Sequence, residues 1–169
     1  MPTPSTLAPR PVAAHGPLDE RELGTWRAFF RMTELLRGRL EQRLVAHSGL
    51  SNADYSVLVA LSEAPEGRMR ACVLGEELAW EKSRLHHQLT RMAARGLVAR
   101  ETGPARSAYA RITGGGFAAL RAAVPLHTAD VRELFLDRLD AEQAGRLEEI
   151  STIILRGLTN CADTGDNAS

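Results

Sequence analysis

Residues 81–95 gather hydrogen-bond donors and positive charge in one short segment, Glu-Lys-Ser-Arg-Leu-His-His-Gln-Leu-Thr-Arg-Met-Ala-Ala-Arg. At about 100° per residue, Leu85, Leu89 and Met92 lie on one side of a helix, within about 60° of one another. The opposite side carries no carboxylate, whereas ordinary surface helices mix charges of both signs. Serine, arginine, histidine and glutamine side chains on such a helix can enter the major groove of DNA and bind base edges. The alternative interpretation is a basic helix that simply faces solvent.

The outward side of this helix predicts DNA-binding residues of two kinds. Phosphate contacts are predicted for Lys82 and Arg95, and for Arg68 earlier in the chain. Base-edge contacts are predicted for Ser83, Arg84, His87 and Arg91, with Gln88 as a further outward-facing DNA-binding residue.

The positive charge of the chain is concentrated around this segment. Over the 169 residues, 21 Lys and Arg balance 21 Asp and Glu, so the net charge is zero. Residues 68–111 hold nine basic residues and four glutamates, a net charge of +5, and the remainder, with 12 basic and 17 acidic residues, carries −5. A neutral protein with a positive middle segment is consistent with one local surface that faces phosphates.

Two shorter helices are predicted just before residues 81–95. Ser51 is a suitable N-cap, and Asp54 three residues later completes a near-capping box for a helix that ends near Ser62. A turn at 64–67, a short strand at 68–70 and a short helix at 71–79 follow. A short helix joined by a tight turn to residues 81–95 forms a helix-turn-helix, whose second helix lies in the major groove of DNA.

A β-hairpin is predicted directly after this helix-turn-helix. Gly96 ends the helix, and strand-like runs at 97–101 and 107–112 flank a loop too long for a two-residue turn. A hairpin in this position is a wing. Arg106 at its tip is predicted to enter a minor groove, where narrow geometry concentrates negative potential. The alternative for Arg106 is a solvated arginine without a DNA contact.

Long helices are predicted on both sides of the winged segment. Apolar residues spaced by three and four predict a helix over about 18–47, too long to pack on its own small domain alone and therefore suggestive of a partner subunit. After Thr113 the same spacing continues past Pro125, which predicts one kinked helix or two abutting ones. Asp140 and Gln143 form a second capping box for a helix that reaches Leu158.

The two ends of the chain show no such periodicity. Residues 1–17 contain five prolines and are predicted to be a disordered extension, and residues 159–169 are predicted to be a flexible tail.

The order and spacing of these segments resemble the MarR family of winged-helix regulators, over nearly everything from Leu18 to Leu158. The resemblance rests on the segments 80–85 and 92–98 and on 110–120, which is similar to the family's strand-to-helix junction. The segment 125–135 is similar to an actinobacterial-type branch. The resemblance implies a mainly α fold with a small β-hairpin wing in one domain, 18–158. Its winged helix-turn-helix spans about 51–113, and its interleaved N- and C-terminal dimerisation helices span about 18–47 and 114–158.

The function that the resemblance implies is a homodimeric, sequence-specific DNA-binding transcriptional regulator. Two recognition helices would read adjacent major grooves of a pseudo-palindromic operator, about 34 Å apart. Members of the family usually repress genes, and many leave DNA when they bind a small aromatic or lipophilic effector. The alternative function is a winged-helix dimer that binds ligands or proteins without specific operator recognition.

The resemblance also implies an effector pocket between the dimerisation helices and the winged lobe. Aromatic residues at helical spacing more often form a core, but here they are also candidates for the pocket wall. The candidate pocket residues are Trp26, Phe29, Phe30, His47 and Tyr55.

Three positions depart from the family pattern. The wing loop lacks the usual bracing aspartate and keeps one arginine position, Arg106. Ala79 stands where glycine is common between the two helices, at a cost of up to about 1 kcal/mol if the site needs a positive φ. His86 and His87 replace small polar residues, which predicts an unusual operator sequence.

Other chemistry is not predicted. The sequence offers no Ser-His-Asp set, paired-carboxylate site or phosphate loop, so we expect neither an enzyme nor a cofactor. His86 and His87 point about 100° apart on a helix and are not a metal pair. Cys72 is expected to pack under the first helix of the motif rather than to sense oxidants. The cysteine spacing and the lack of a long apolar run predict a cytoplasmic protein without membrane contact.

Overall fold

The computed structural model describes residues 16–160, without the side chains of Ala105, Thr159 and Asn160. Most of the predicted extension 1–17 and of the predicted tail 159–169, including Cys161, therefore lies outside the described residues. The chain divides into two compact units, the first ending at Leu35 and the second beginning at Leu36.

Six α-helices and three strands, joined by loops and three short 3-10 helices, make up the described residues. They are α1 (Glu20–Ser48), α2 (Asn52–Glu63), β1 (Arg68–Arg70), α3 (Ala71–Glu77), α4 (Lys82–Ala94), β2 (Val98–Thr102), β3 (Ala108–Ile112), α5 (Gly114–Leu134) and α6 (Ala141–Asn160). The three strands form one antiparallel sheet in the order β1-β3-β2. This mainly α architecture with a small hairpin confirms the predicted fold class.

The predicted capping boxes form at both helix starts. The Ser51 hydroxyl accepts from the Asp54 N–H at 3.0 Å, and the Asp54 carboxylate accepts from the Ser51 N–H at 2.9 Å. At the start of α6, the Gln143 N–H donates to Asp140 Oδ1 at 2.8 Å, and Gln143 Oε1 accepts from the Asp140 N–H. Each pair satisfies backbone donors that the first turn of a helix leaves without partners.

The hydrophobic core of the second unit fixes which side of α4 faces outward. Leu85, Leu89 and Met92 are buried, as their spacing predicted. They belong to one buried cluster whose other large members come from α1, the connection after it, α2, α3, the hairpin and α5: Leu44, Leu50, Val57, Leu58, Leu61, Leu74, Leu97, Val98, Ile112 and Leu120. Because α4 is held by its apolar side, its polar side is presented to solvent.

The helix after the hairpin is a single element. The Thr113 hydroxyl accepts from the Gly116 N–H at 3.0 Å and caps α5. A Cβ at Gly116 would lie 2.1 Å from the Leu97 carbonyl oxygen, so only glycine allows this close approach of α5 to the start of the hairpin. Pro125 lies inside α5 without dividing it, which decides between the two predicted alternatives.

The connection between α3 and α4 contains a residue in the left-handed region. Ala79 has φ of 52°, so this site does need the positive φ that glycine adopts without strain. The Ala79 N–H donates to Glu76 O at 3.1 Å, and the Trp80 N–H donates to Gly75 O at 2.8 Å, so backbone hydrogen bonds hold the strained turn.

We expect Ala79→Gly to stabilise the protein by about 0.5–1 kcal/mol, because relief of left-handed strain exceeds the extra backbone entropy that glycine loses. Thermal or urea unfolding measures the change. Gly96→Ala is the matched control: Gly96 has φ of +70° and open space around its missing Cβ, so the substitution adds strain alone and should destabilise. An unchanged or lower stability of Ala79→Gly would contradict the strain assigned to this turn.

Candidate nucleic-acid interface

The solvent-facing side of α4 is polar and basic. Lys82, Ser83, Arg84, His87 and Arg91 are all exposed there. The Arg84 guanidinium lies 4.3 Å from the centre of the Trp80 ring. This cation–π contact connects α4 with the residue in the turn just before it. The structure thus exposes five of the six residues predicted on this helix itself, and Arg95 follows at its C-terminal end.

Gln88 is the exception, and its predicted outward orientation is wrong. The side chain is only 3% exposed, and its Nε2 donates to Asp54 Oδ1 at 2.7 Å. On a helix, Gln88 lies only about 40° from Met92, so it flanks the buried side rather than the groove-facing side. Its remaining oxygen, Oε1, accepts a hydrogen bond from Arg91 Nη2.

A buried carboxylate ties this helix to the start of α2. Asp54 is 3% exposed and accepts hydrogen bonds from the Ser51 N–H, from Gln88 and, at 2.7 Å, from Arg95 Nη1. Burial alone would raise the pKa of Asp54, but the Ser51 and Arg95 donors together hold this pKa below its ordinary value. The residue is therefore an ionised anchor rather than only a helix cap.

Arg95 forms an ion pair with Asp54. Besides Asp54, its guanidinium reaches the Gly49 carbonyl oxygen with Nη2 at 2.8 Å. The phosphate contact predicted for Arg95 stays a prediction, and both terminal nitrogens of the guanidinium already have one protein acceptor each. Asp54 was predicted only as a capping residue, because nothing in the sequence links positions 41 residues apart.

A second carboxylate organises the wing. Glu101 on β2 accepts from Arg68 Nε at 2.8 Å and from Arg111 Nε at 2.7 Å, and the hydrogen bond from Arg111 lowers the pKa of Glu101 most. Arg68 also lies 3.9 Å from the centre of the Tyr109 ring. The wing loop itself contains no carboxylate, and Glu101 provides one from the neighbouring strand. Arg68, predicted as a phosphate contact, is held against the sheet by these contacts.

The tip of the wing presents Arg106 to solvent. Residues Pro104–Arg106 form a short 3-10 turn between β2 and β3, and Arg106 adopts a φ of 58°. Further along the hairpin, Arg100 Nη1 donates to the Thr90 hydroxyl at 3.0 Å and so connects β2 with α4. A hydrogen bond therefore links α4 to the wing within the same unit.

A cleft of about 790 Å³ lies between the helix-turn-helix and the wing. Its wall includes Cys72, Trp80, His86 and Tyr109. The predicted packing of Cys72 under the first helix is wrong, because the side chain is exposed. Cys72 is the second residue of α3 and lines this cleft, while Leu74 of the same turn is buried in the core.

The residues predicted for an effector pocket fall into two sets. In the first unit, the rings of Trp26 and Phe30 lie 4.1 Å apart, and Phe29 contacts Phe30 edge-on at 5.7 Å. In the second unit, the Tyr55 ring lies 4.6 Å from the ring of His127. His47 Nδ1 lies 3.7 Å from the buried Asp130.

Two further features are absent from the described residues. Within residues 16–160, no group of three or more His, Cys, Asp or Glu side chains could hold a metal ion. No helix in the same range is long and apolar enough to cross a membrane.

The helix-turn-helix, the hairpin packed behind it and the outward basic face define a winged helix-turn-helix protein. Neither a protein-family model nor a curated protein matches the chain. Among solved structures, the chain is similar to AbsC, a MarR family transcriptional regulator from Streptomyces coelicolor. The two are 34% identical with a TM-score of 0.81, over 86% of this chain and 99% of that one.

A second regulator from the same organism gives the same result. The chain is 34% identical to Sco3205, a MarR family transcriptional regulator from Streptomyces coelicolor solved in complex with DNA, with a TM-score of 0.80 over 83% of this chain and 93% of that one. A mutant MarR from E. coli, complexed with operator DNA, shares the fold at 21% identity, with a TM-score of 0.72 over 83% of this chain and 99% of that one. The chain belongs to the MarR family of transcriptional regulators.

The ionised state of Asp54 predicts a pH-dependent contribution to stability. A carboxyl group whose pKa is lowered by folding stabilises the fold fully above its unfolded pKa, and the contribution is lost as pH falls through the folded pKa. We therefore expect Asp54→Asn to lower Tm at pH 7, and the difference from wild type to shrink below about pH 4. Circular dichroism melts between pH 7 and pH 2 measure it. Thr113→Ala, which removes a non-ionisable cap, is the control; a pH-independent deficit for Asp54→Asn contradicts the ionised anchor.

Proposed function

We propose that the protein is a homodimeric, sequence-specific DNA-binding repressor. The main support for DNA binding is the outer face of α4. Exposed hydroxyl, imidazole and guanidinium groups lie there, on a helix whose opposite side is buried in the core. Similarity to Sco3205, solved in complex with DNA, supports the same class of ligand here. A regulator of this kind acts by binding rather than by catalysis, and in a bacterium it works in the cytoplasm.

The residues divide by the part of the duplex that they would contact. Ser83, Arg84, His87 and Arg91 are proposed to reach base edges in the major groove. Lys82 at the start of α4 is proposed to contact a phosphate, and Arg106 to enter the neighbouring minor groove. Arg68 and Arg95 are proposed to add positive potential near the backbone from their fixed positions, while Gln88 is not proposed to touch DNA.

Exposed apolar side chains support the proposed dimer. On α6, Ile150, Ile154 and Leu158 lie on one face and are 52–66% exposed. On α1, Trp26 and Phe29 are about half exposed. Large apolar side chains that are exposed along one face of a helix are typical of a protein interface. We propose that these helices, about 18–47 and 114–158, form the dimerisation part of a domain spanning 18–158, with the winged lobe at about 51–113.

A small aromatic or lipophilic effector is proposed to release the repressor from DNA. In the first unit, the exposed aromatic side chains of Trp26, Phe29 and Phe30 support an apolar ligand. His47 and Tyr55, in the second unit, are proposed as pocket residues from the family resemblance alone. An effector shifts the balance between DNA-competent and incompetent arrangements only by its difference in affinity for the two. The separation of the two winged lobes is the quantity that we propose it changes.

Single substitutions on α4 separate base readout from phosphate contact. Arg84→Ala should cost about 1–3 kcal/mol on the preferred operator and relax the preference at one base pair, since bidentate arginine–guanine contacts are worth that much. Lys82→Ala should weaken binding to all DNA sequences by the same factor. It should also reduce the slope of log K against log salt concentration by about 1. Fluorescence anisotropy titrations at several salt concentrations measure both. Binding that is weak and indifferent to sequence in the wild type would favour the alternative, a ligand- or protein-binding module.

A charge on the exposed face of α6 should break the dimer. We expect Ile154→Arg to convert the protein to a monomer at micromolar concentration, because a charged group cannot be buried there without a partner. Thr152→Arg is the control, since residue 152 lies on the opposite face of the same helix. Sedimentation equilibrium gives the masses. A monomeric wild type, or an equal effect of both variants, would rule out this interface.

A further inference from the structure

A chain of hydrogen bonds runs from the buried start of α2 to the outer face of α4. The Asp54 carboxylate accepts from Gln88 Nε2 at 2.7 Å, and Gln88 Oε1 accepts from Arg91 Nη2. Asp54 and Gln88 are each 3% exposed, whereas Arg91 is exposed. The chain therefore has two fixed buried members and one terminal member that meets solvent.

The direction of this chain is set by the charge of its first member. An ionised carboxylate only accepts hydrogen bonds, so Asp54 must face the NH2 group of the Gln88 amide. The amide oxygen is then turned toward Arg91, whose guanidinium only donates. With the amide reversed, two acceptors would meet at Asp54 and two donors would meet at Arg91, and buried polar groups without partners are costly.

We propose that Asp54 and Gln88 are positioning residues that orient the Arg91 guanidinium for recognition of one base pair in the major groove. This inference rests on the proposed DNA-binding function. Arg91 uses one of its five N–H donors on Gln88, which leaves enough for the two donors that a bidentate contact to guanine O6 and N7 requires.

The expected benefit is a smaller loss of side-chain freedom on binding. A long arginine side chain held in place before it meets DNA loses less rotamer entropy than a free one, so recognition becomes tighter at that base pair. Arg84 offers an internal comparison, because it is held by the Trp80 ring and not by Gln88. Any effect that passes through Gln88 should therefore leave the base pair read by Arg84 unchanged.

The experiment measures base preference rather than affinity alone. An operator is first selected from random DNA with the wild-type protein, and each base pair is then replaced in turn. Arg91→Ala identifies the base pair that Arg91 reads. Gln88→Leu, which removes both hydrogen bonds at similar volume, should reduce discrimination at that same base pair by about three- to tenfold. Discrimination at the base pair identified by Arg84→Ala should remain, and Gln88→Leu should add nothing further in the Arg91→Ala background.

Asp54→Asn tests the direction of the chain. An asparagine amide can present NH2 to Gln88, which would reverse the Gln88 amide and turn a donor toward Arg91, so the same base pair should lose discrimination. Ser51→Ala is the matched control. It removes the other half of the same capping box and lowers stability while the Asp54 carboxylate keeps its bonds to Gln88 and Arg95.

The possible failures are distinct. Equal weakening across all operator variants by Gln88→Leu, or effects of Gln88→Leu and Arg91→Ala that simply add, would show that Gln88 only supports the fold and would overturn the positioning role. The same conclusion follows if Arg91→Ala changes no base preference, or if Ser51→Ala mimics Asp54→Asn. A wild-type protein that selects no DNA sequence would instead overturn the proposed function itself, and the positioning role with it.

Discussion

The buried carboxylate of Asp54 is the contact on which the arrangement of the DNA-facing surface depends. It joins the first turn of α2 to two residues of the α4 region, Gln88 and Arg95, by hydrogen bonds of 2.7 Å each. A charge out of water is tolerated only when it is paired and hydrogen-bonded, so the position of α4 relative to α2 is tightly specified. Apolar packing alone fixes which side of a helix is buried, but it tolerates small shifts along the axis. Directional hydrogen bonds to one carboxylate reduce that freedom, which matters for a helix that must match base edges.

Glu101 stabilises the wing as Asp54 stabilises the position of α4, by accepting hydrogen bonds from side chains on neighbouring elements. Its two oxygens hold Arg68 and Arg111 on the sheet, so part of the basic charge of residues 68–111 is neutralised within the protein. The arginines of this segment therefore form two groups. One group is paired with carboxylates and stiffens the lobe, while the other, Arg84 and Arg106 among them, stays exposed toward the proposed DNA. Net charge along the sequence overstates the charge available for phosphates, and only the structure separates the two groups.

Much of the fold could be predicted from the sequence because its signals are local. Spacings of three and four residues located the helices, and the Ser51 and Asp140 capping boxes marked their starts. Ala79 stands where the family commonly has glycine, which raised the question of a positive φ, and the observed φ of 52° answers it. The candidate site was predicted less well, because its partners are distant in sequence. Gln88 lies at the edge of the apolar side of α4. A helical projection cannot show that a carboxylate of α2 lies beside this position, so the burial of Gln88 could not be predicted. The pairing of Arg95 with Asp54 and the exposure of Cys72 were missed for the same reason.

The central claim is that paired copies of α4, held rigidly on their lobes, read two adjacent major grooves. Hydroxyl-radical footprinting on the DNA upstream of the protein's own gene tests it most directly, because it reports which sugars the protein covers. The account predicts two protected regions with related sequences, their centres about 10 base pairs apart and on the same side of the duplex. Protection of a single half-site, or protection that is uniform along the fragment, would contradict it.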